Sequence, residues 1–239
     1  MALLLAPKDD VMQGQLDAIA RAPGGAPGLA ALAQAARAIA PLTRRLGTAF
    51  HMAVIDLALP AIKSAPEEAR QQLVAALEAV INADRRVSLH EFVVLTLVRS
   101  QLAPQGRPGA AGSKRIADLQ AEAVIVLSLI AYAGIRQDAT GKRSEELAAA
   151  MRAGTREMGI AEAPAVSALR LEIAAAALET LKSLAPMQKA ILVKGLFAAV
   201  SADGTIRVLE AELMRLVGAV LDCPLPPLLE SVDPATLAA

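Results

Sequence analysis

Aromatic side chains are almost missing from this chain of 239 residues: they make up 2% of it, as three Phe, one Tyr and no Trp. So few rings cannot form a stacking platform for nucleic-acid bases. Charge of one sign is lacking too, because 24 Lys and Arg balance 24 Asp and Glu and the formal net charge is zero. We therefore expect neither nucleic acid nor an anionic lipid surface as a partner.

Cysteine and long apolar runs are equally scarce. The single cysteine, Cys223, excludes an internal disulfide and is typical of a reducing compartment, and its apolar neighbours predict a buried thiol. The best candidate for a membrane span, residues 123–135, is shorter than the ~20 residues required, and the apolar start of the chain is too short for a signal peptide. We expect a soluble chain in which residues 123–135 form a fully buried helix.

Hydrophobic residues nevertheless make up 55% of the chain, so Ala, Leu, Val and Ile must build its core. No run of β-branched residues alternates with polar ones, and strands are not expected. Helical patterns recur instead, between breaks such as Pro41 and the Gly- and Pro-rich stretch 104–113. The sequence predicts an all-α bundle of about eight or nine helices, with halves at 1–103 and 116–239 joined by a linker at 104–115.

One stretch occurs twice. Asp84-Arg85-Arg86-Val87-Ser88-Leu89-His90-Glu91 returns as Asp203-Gly204-Thr205-Ile206-Arg207-Val208-Leu209-Glu210, at an offset of 119 (203 − 84). Similar helical runs precede both copies, Leu73–Leu77 in the first and Leu192–Leu196 in the second. We therefore predict two related units, each a helix, an acidic turn and a second helix.

Several helix boundaries follow from local signals. A helix over 29–40 should stop at Pro41, and a long helix should run from Pro164 to Leu184. Ser64 should cap the helix after it, with Pro66 in the first turn and Glu67 at the third position. Pro186 should open the helix that leads into the second acidic turn.

The paired Asp and Glu of each turn allow two interpretations. Their carboxylates could converge on one Ca²⁺ or Mg²⁺, with Asp203, Glu210 and Glu212 as the better set and Asp84 and Glu91 as the poorer one. Water would have to complete either shell, so binding would be weak. The alternative is helix capping, since Ser88 and Glu91 have the spacing of a capping box and Arg207 replaces that serine in the second copy.

No catalytic set is evident. His90-Glu91 would need a second histidine at Val94 to make the H-E-x-x-H zinc motif, and His51 is expected on another helix. Two histidines supply no Ser/His/Asp set either, and no glycine-rich phosphate loop follows a strand. We expect this chain not to be an enzyme and to contain no resident cofactor beyond a weakly bound divalent cation.

The residues also carry a family resemblance. Ile55–Ala61, the two Ala-Asp turns and the segment from Ala211 to Leu229, with its Leu-Asp-Cys-Pro, resemble the cytoplasmic C-terminal region of bacterial membrane-bound zinc metallopeptidases of the HtpX/CAAX-protease type. The twin turns also resemble the TerB-like helical domain of tellurite resistance. The resemblance covers nearly the whole chain, but Arg85-Arg86 stand where that domain usually has Gly, which disfavours a cation in the first turn.

The resemblance implies that the membrane helices and the zinc site lie outside this chain, so that zinc is expected only there. Two functions follow. The first is a non-catalytic, cytoplasmic regulatory or protein-interaction domain, tethered to the inner membrane and contacting its own peptidase domain or another protein. The alternative is a TerB-like module that binds Ca²⁺ or Mg²⁺ in an envelope or tellurite stress response.

Overall fold

A computed structural model describes residues 1–23, 27–83, 87–103, 112–135, 143–223 and 225. Within these ranges the chain forms ten α-helices, three short 3-10 helices and no strand, apart from an isolated parallel bridge between Lys114 and Leu184. The prediction of an all-α fold is confirmed, with slightly more helices than expected. The chain divides into two compact units, residues 1–103 and 104–239.

The described part of the first unit contains five α-helices: α1 Asp9–Ala20, α2 Pro27–Leu46, α3 His51–Ser64, α4 Glu67–Asn82 and α5 Leu89–Leu102. Helix α1 packs against α2 and α4, and α5 packs against α4 and α3. Acidic residues in the first turns of α1 and α4 suit the positive end of the helix dipole. Helix α3 is the least embedded of the five, since only Ile55 is fully buried.

The described part of the second unit also contains five α-helices: α6 Gln120–Ala133, α7 Arg143–Met158, α8 Leu171–Leu181, α9 Pro186–Val200 and α10 Val208–Val220. Helix α6 contacts each of the other four. Its Val126, Leu127 and Ile130 are 0% exposed, so α6 forms the centre of this core. Most of α6 is buried, although Val124 and Tyr132 are only half-buried.

The helix bounds keep the sequence offset. Helix α4 begins at Glu67 and α9 at Pro186, while α5 begins at Leu89 and α10 at Val208, and both differences are 119. Part of the packing corresponds, because α4 with α5, α1 with α4, α1 with α2 and α3 with α5 are matched by α9 with α10, α6 with α9, α6 with α7 and α8 with α10. The extensive packing of α7 on α9 and of α6 on α8 has no comparable counterpart among the described residues of the first unit. That one unit arose by duplication of the other stays a prediction.

Two glycines let α7 and α9 cross at close range. A Cβ on Gly195 would lie 2.9 Å from the carbonyl oxygen of Gly154, and a Cβ on Gly154 would lie 3.2 Å from the carbonyl oxygen of Gly195. Real Cβ atoms essentially never approach a backbone oxygen to 2.9 Å, so the two backbones are in direct contact. This crossing fixes α7 against α9, and both helices line the cavity described below.

Three predictions of where helices begin or end are wrong. Helix α2 continues through Pro41 to Leu46, because Pro41 faces solvent while Ala40 and Thr43 carry the buried face past it. Proline removes one backbone hydrogen bond, and at a solvent-facing position water can serve the freed carbonyl. Tertiary burial therefore outweighs the local stop signal.

The long helix predicted from Pro164 to Leu184 is also wrong, since α8 spans only Leu171–Leu181. The segment before it is tied to α6 instead, because the backbone N–H of Val166 donates to Ser128 Oγ at 3.0 Å. Ser64 does not cap α4 either. It is the last residue of α3, and its hydroxyl donates to the carbonyl of Pro60 at 2.9 Å.

Residues 104–111 of the predicted linker lie outside the described residues. The described end of the linker is held in the second unit, where Lys114 N donates to Ser183 O at 3.1 Å and Lys114 O accepts from Ala185 N at 2.9 Å. Among the described residues, one helical segment, Ile116–Ala133, has the length and apolar composition of a membrane span, and 56% of it is buried. The bent pair Gly28–Leu46 and Thr48–Ser64 meets the same criteria only when both helices are counted as one span.

Candidate functional site

The second acidic turn joins α9 to α10 and depends on Gly204. Its φ of +77° is in the left-handed region that favours glycine. The amide of Gly204 donates to Ser201 O at 3.1 Å, and Asp203 Oδ1 accepts from the amide of Thr205 at 3.0 Å. One oxygen of Asp203 thus closes the turn, while the other points to a neighbouring side chain.

That neighbour is Arg207, the N-cap residue of α10. Its Nη2 lies 2.7 Å from Asp203 Oδ2, and its Nη1 lies 3.7 Å from Glu210 Oε2. Glu210 Oε2 also accepts from the backbone N–H of Arg207 at 2.8 Å. A guanidinium has no acceptor, so Arg207 cannot return the hydrogen bond that a serine would make. It holds both carboxylates through its charge instead.

Glu212 does not join this group. It is 3% exposed, but it is two residues beyond Glu210 and therefore on a different face of α10. It is not among the residues that line the cavity beside the turn. Among the described residues, no three or more His, Cys, Asp and Glu side chains are grouped so as to hold a metal ion. The structure brings Asp203 and Glu210 together around Arg207 and leaves Glu212 elsewhere.

A cavity of about 280 Å³ opens beside the turn. Small side chains at the ends of α6 and α9 and along α7 form its walls, and five charged side chains line it: Glu145, Glu146, Asp203, Arg207 and Glu210. Four carboxylates and one guanidinium therefore line the same cavity. Glu146 Oε2 is buried and makes no hydrogen bond to the described residues. We call this cavity the acidic pocket.

The charges of the acidic pocket shift one another. Burial alone would raise the pKa of Asp203, but hydrogen bonds from Arg207 and the Thr205 amide, together with the Arg207 charge, outweigh it and lower that pKa. Burial raises the pKa of Glu210, and the amide and charge of Arg207 offset this only in part. For Arg207, burial opposes the charge, but the hydrogen bond to Asp203 and the surrounding carboxylates raise its pKa.

Glu210 is also packed against backbone. A Cβ on Gly134, at the end of α6, would overlap Glu210 Oε1, so the missing side chain makes room for the carboxylate. Glu210 is 3% exposed, and carboxylates are rarely buried so fully unless they are paired. The pocket therefore keeps one deeply placed carboxylate, Glu210, and one more accessible carboxylate, Asp203.

In the first acidic turn Asp84, Arg85 and Arg86 lie outside the described residues. The capping box predicted at its end is confirmed: Glu91 N donates to Ser88 Oγ at 3.2 Å, and Ser88 N donates to Glu91 Oε2 at 2.8 Å. The Ser88 hydroxyl also lies 2.8 Å from Glu91 Oε2. The Glu91 carboxylate is thus engaged in capping α5.

Sequence reasoning missed the meeting of the two histidines. The rings of His51, at the start of α3, and His90, in the first turn of α5, have centroids 5.3 Å apart and planes tilted by 52°. The sequence placed them correctly on different helices, but only the packing of α3 on α5 brings them together. Cys223 was expected to be buried and is instead half-buried.

The comparisons give this chain no family. No protein-family model, no curated protein and no solved structure matches it.

Proposed function

We propose that this chain is a non-catalytic domain that binds another protein, and that it serves as the cytoplasmic regulatory part of a membrane-bound zinc metallopeptidase. The acidic pocket is the observation that carries the binding role. Its volume of about 280 Å³ lies below the roughly 300–1,000 Å³ typical of small-molecule sites, so it suits a single side chain or an ion. Its four carboxylates favour a side chain or an ion that carries a positive charge.

The occupant that fits best is a lysine or arginine side chain of a partner protein. The small walls of the pocket accept an aliphatic stem, and the carboxylates can accept charge-assisted hydrogen bonds from its head group. Glu146 is the residue best placed for this role, because its buried Oε2 makes no hydrogen bond to the described residues. Arg207 already neutralises part of the negative charge of Asp203 and Glu210. Glu145 and Glu146 are therefore left to bind the cationic head group of the partner's side chain.

Peptide binding tests this role. The probes are a short neutral peptide with one central lysine and the same peptide with methionine at that place, each titrated by calorimetry and by NMR. Glu146→Gln should weaken the lysine peptide several-fold, and added salt should weaken it further. Glu172→Gln on α8 is the matched control, because Glu172 is exposed and does not line the pocket. Equal binding by both variants, or equal binding of both peptides, would rule out the pocket as the site.

Membrane attachment needs a separate test, since it rests on the family resemblance. An antibody raised against this chain should detect a longer, zinc-containing polypeptide in the membrane fraction of the native cells. Detection only of a soluble polypeptide of about this length would contradict it. Purified chain should cleave neither casein nor a prenylated peptide, with or without zinc. Cleavage that Glu91→Gln abolishes would overturn the non-catalytic assignment.

The second candidate function is a divalent-cation module, and the meeting of Asp203 and Glu210 is the observation that favours it. One cationic group already bridges Asp203 and Glu210, so a Ca²⁺ or Mg²⁺ that displaced it would meet two carboxylates. Affinity should fall in the ~10⁻⁴–10⁻³ M range of loosely built calcium sites. Calorimetric titration should give heat with the wild type and much less with Asp203→Asn, and equal heats would exclude this site.

A further inference from the structure

The whole sequence contains two histidines, and the fold places their rings in contact. They come from helices that are well separated along the chain, α3 and α5 of the first unit. Both side chains are half-buried, so that an ion could reach them from solvent while much of their surroundings is protein.

The separation of the rings fits a shared metal. With a Zn–N bond of about 2.0 Å, a centroid-to-nitrogen distance of about 1.1 Å and an angle of about 109° at the metal, two imidazoles have centroids about 5 Å apart. The observed distance is 5.3 Å, and the tilt of 52° excludes parallel stacking of the rings. We propose that His51 and His90 together bind a transition-metal ion of the Zn²⁺, Ni²⁺ or Cu²⁺ class.

The donor type decides the class of metal. Imidazole nitrogen suits Zn²⁺, Cu²⁺ and Ni²⁺, whereas Ca²⁺ and Mg²⁺ prefer oxygen. This site is therefore distinct in chemistry from the acidic pocket. The carboxylate of Glu91, beside His90, is engaged in the capping box, and its negative charge offsets the positive end of α5. Water completes the coordination shell.

A metal at this point would join the first turn of α3 to the first turn of α5. Helix α3 has only Ile55 fully buried, so such a link adds to a helix that the core holds weakly. Because the ion binds the folded arrangement of both rings, it should stabilise the first unit increasingly as its concentration rises above its dissociation constant. The site is thus a structural clamp within the first unit.

Metal titration with matched variants tests the proposal. Zn²⁺ should bind the wild type at one equivalent and raise its melting temperature, and Co²⁺ should give visible absorption bands. His51→Gln and His90→Gln should each weaken Zn²⁺ binding at least tenfold. Cys223→Ala is the control, because a thiolate is the other soft zinc ligand in the chain. It should leave binding unchanged, and Mg²⁺ should produce neither effect.

NMR of the unmodified protein keeps the test decisive if a variant fails to fold. Imidazole resonances of both histidines should shift together on Zn²⁺ addition and reach saturation at a ratio of one to one. Shifts of one ring alone, no shift, or loss of binding in Cys223→Ala but not in the histidine variants would overturn the proposal. Retention of Zn²⁺ affinity by both folded histidine variants would do the same.

Discussion

The crossing of α7 and α9 gives the sharpest stability prediction, because it depends on a single missing methyl group. Alanine at position 195 would put its Cβ 2.9 Å from the carbonyl oxygen of Gly154 and 2.5 Å from Met158 Cγ. Met158 can rotate away, but the backbone oxygen can recede only if the two helices separate. Inserting a methyl group into such a contact typically costs about 1–3 kcal/mol.

The higher helix propensity of alanine acts in the opposite direction, and a second glycine, at an unobstructed position, allows this effect to be measured alone. Replacing a mid-helix glycine by alanine stabilises the helix by about 1 kcal/mol where nothing obstructs the new methyl group. Gly14 in α1 is such a position, since a Cβ added there would meet no atom within 4 Å. Gly14→Ala should therefore stabilise α1, and Gly195→Ala should be worse than Gly14→Ala by about 1–3 kcal/mol.

Native-state hydrogen exchange is the appropriate assay, because the two glycines lie in different units that can unfold separately. Amides of α1 should become better protected in Gly14→Ala, and amides of α7 and α9 should become less protected in Gly195→Ala. If Gly195→Ala protects α9 as much as Gly14→Ala protects α1, the backbones of α7 and α9 are not in contact and the reasoning fails.

Three further predictions concern helix ends and buried charge. Asp222→Gly should raise the free energy of unfolding of the second unit by up to about 1 kcal/mol, because Asp222 has a φ of 55°, which favours glycine. It lies at the end of α10, where the amide of Cys223 donates to the carbonyl oxygen of Gly218. An unchanged free energy of unfolding in urea would refute this prediction. Ser88→Ala should cost about 1 kcal/mol in the same assay through loss of the capping box, with Ser88→Gly costing less. Glu210→Gln should stabilise the protein at neutral pH. The pKa of Glu210 is raised in the folded state, so above that pKa its charge lowers the free energy of unfolding. Below the unfolded pKa of 4.5 the carboxyl is protonated in both states and this loss of stability disappears. A stability difference between Glu210→Gln and the wild type that does not shrink as the pH falls to 4 would contradict the assigned shift.

Local chemistry made much of the fold predictable. The capping box of Ser88 with Glu91 and the early proline Pro186 correctly indicate the starts of α5 and α9, because such signals act within one helical turn. These signals need no knowledge of the partner helix. The all-α class follows in the same way from the lack of alternating β-branched runs.

Features that depend on packing were not predictable. Pro41 is tolerated because the buried face of α2 continues beyond it, and Val166 leaves the helical path because Ser128 of α6 accepts its amide hydrogen. The contact of His51 with His90 requires the placement of α3 against α5, and no periodicity along either helix reveals it. In each case the local structure depends on packing against residues that are distant in the sequence.

The two acidic turns show how one scaffold can carry different chemistry at equivalent positions. Glu91 and Glu210 each accept the amide hydrogen of the residue three positions before them, so the first turn of α5 and that of α10 are capped alike from this side. In the first unit Ser88 returns the hydrogen bond and completes the box. In the second unit Arg207 cannot return it and reaches Asp203 instead.

The N-cap residue, serine in the first unit and arginine in the second, is one of the differences between the two turns. In the first unit the N-cap residue is Ser88, and the imidazoles of His51 and His90 are the chemically distinctive groups described near the start of α5. A cationic cap in the second unit needs carboxylates around it, and Asp203, Glu210 and Glu146 all raise the pKa of Arg207. Binding of a second cation in the acidic pocket must therefore compete with Arg207. Because imidazole nitrogen suits Zn²⁺, Ni²⁺ and Cu²⁺, these metals should favour the first unit, and a basic side chain or a hard cation should favour the second.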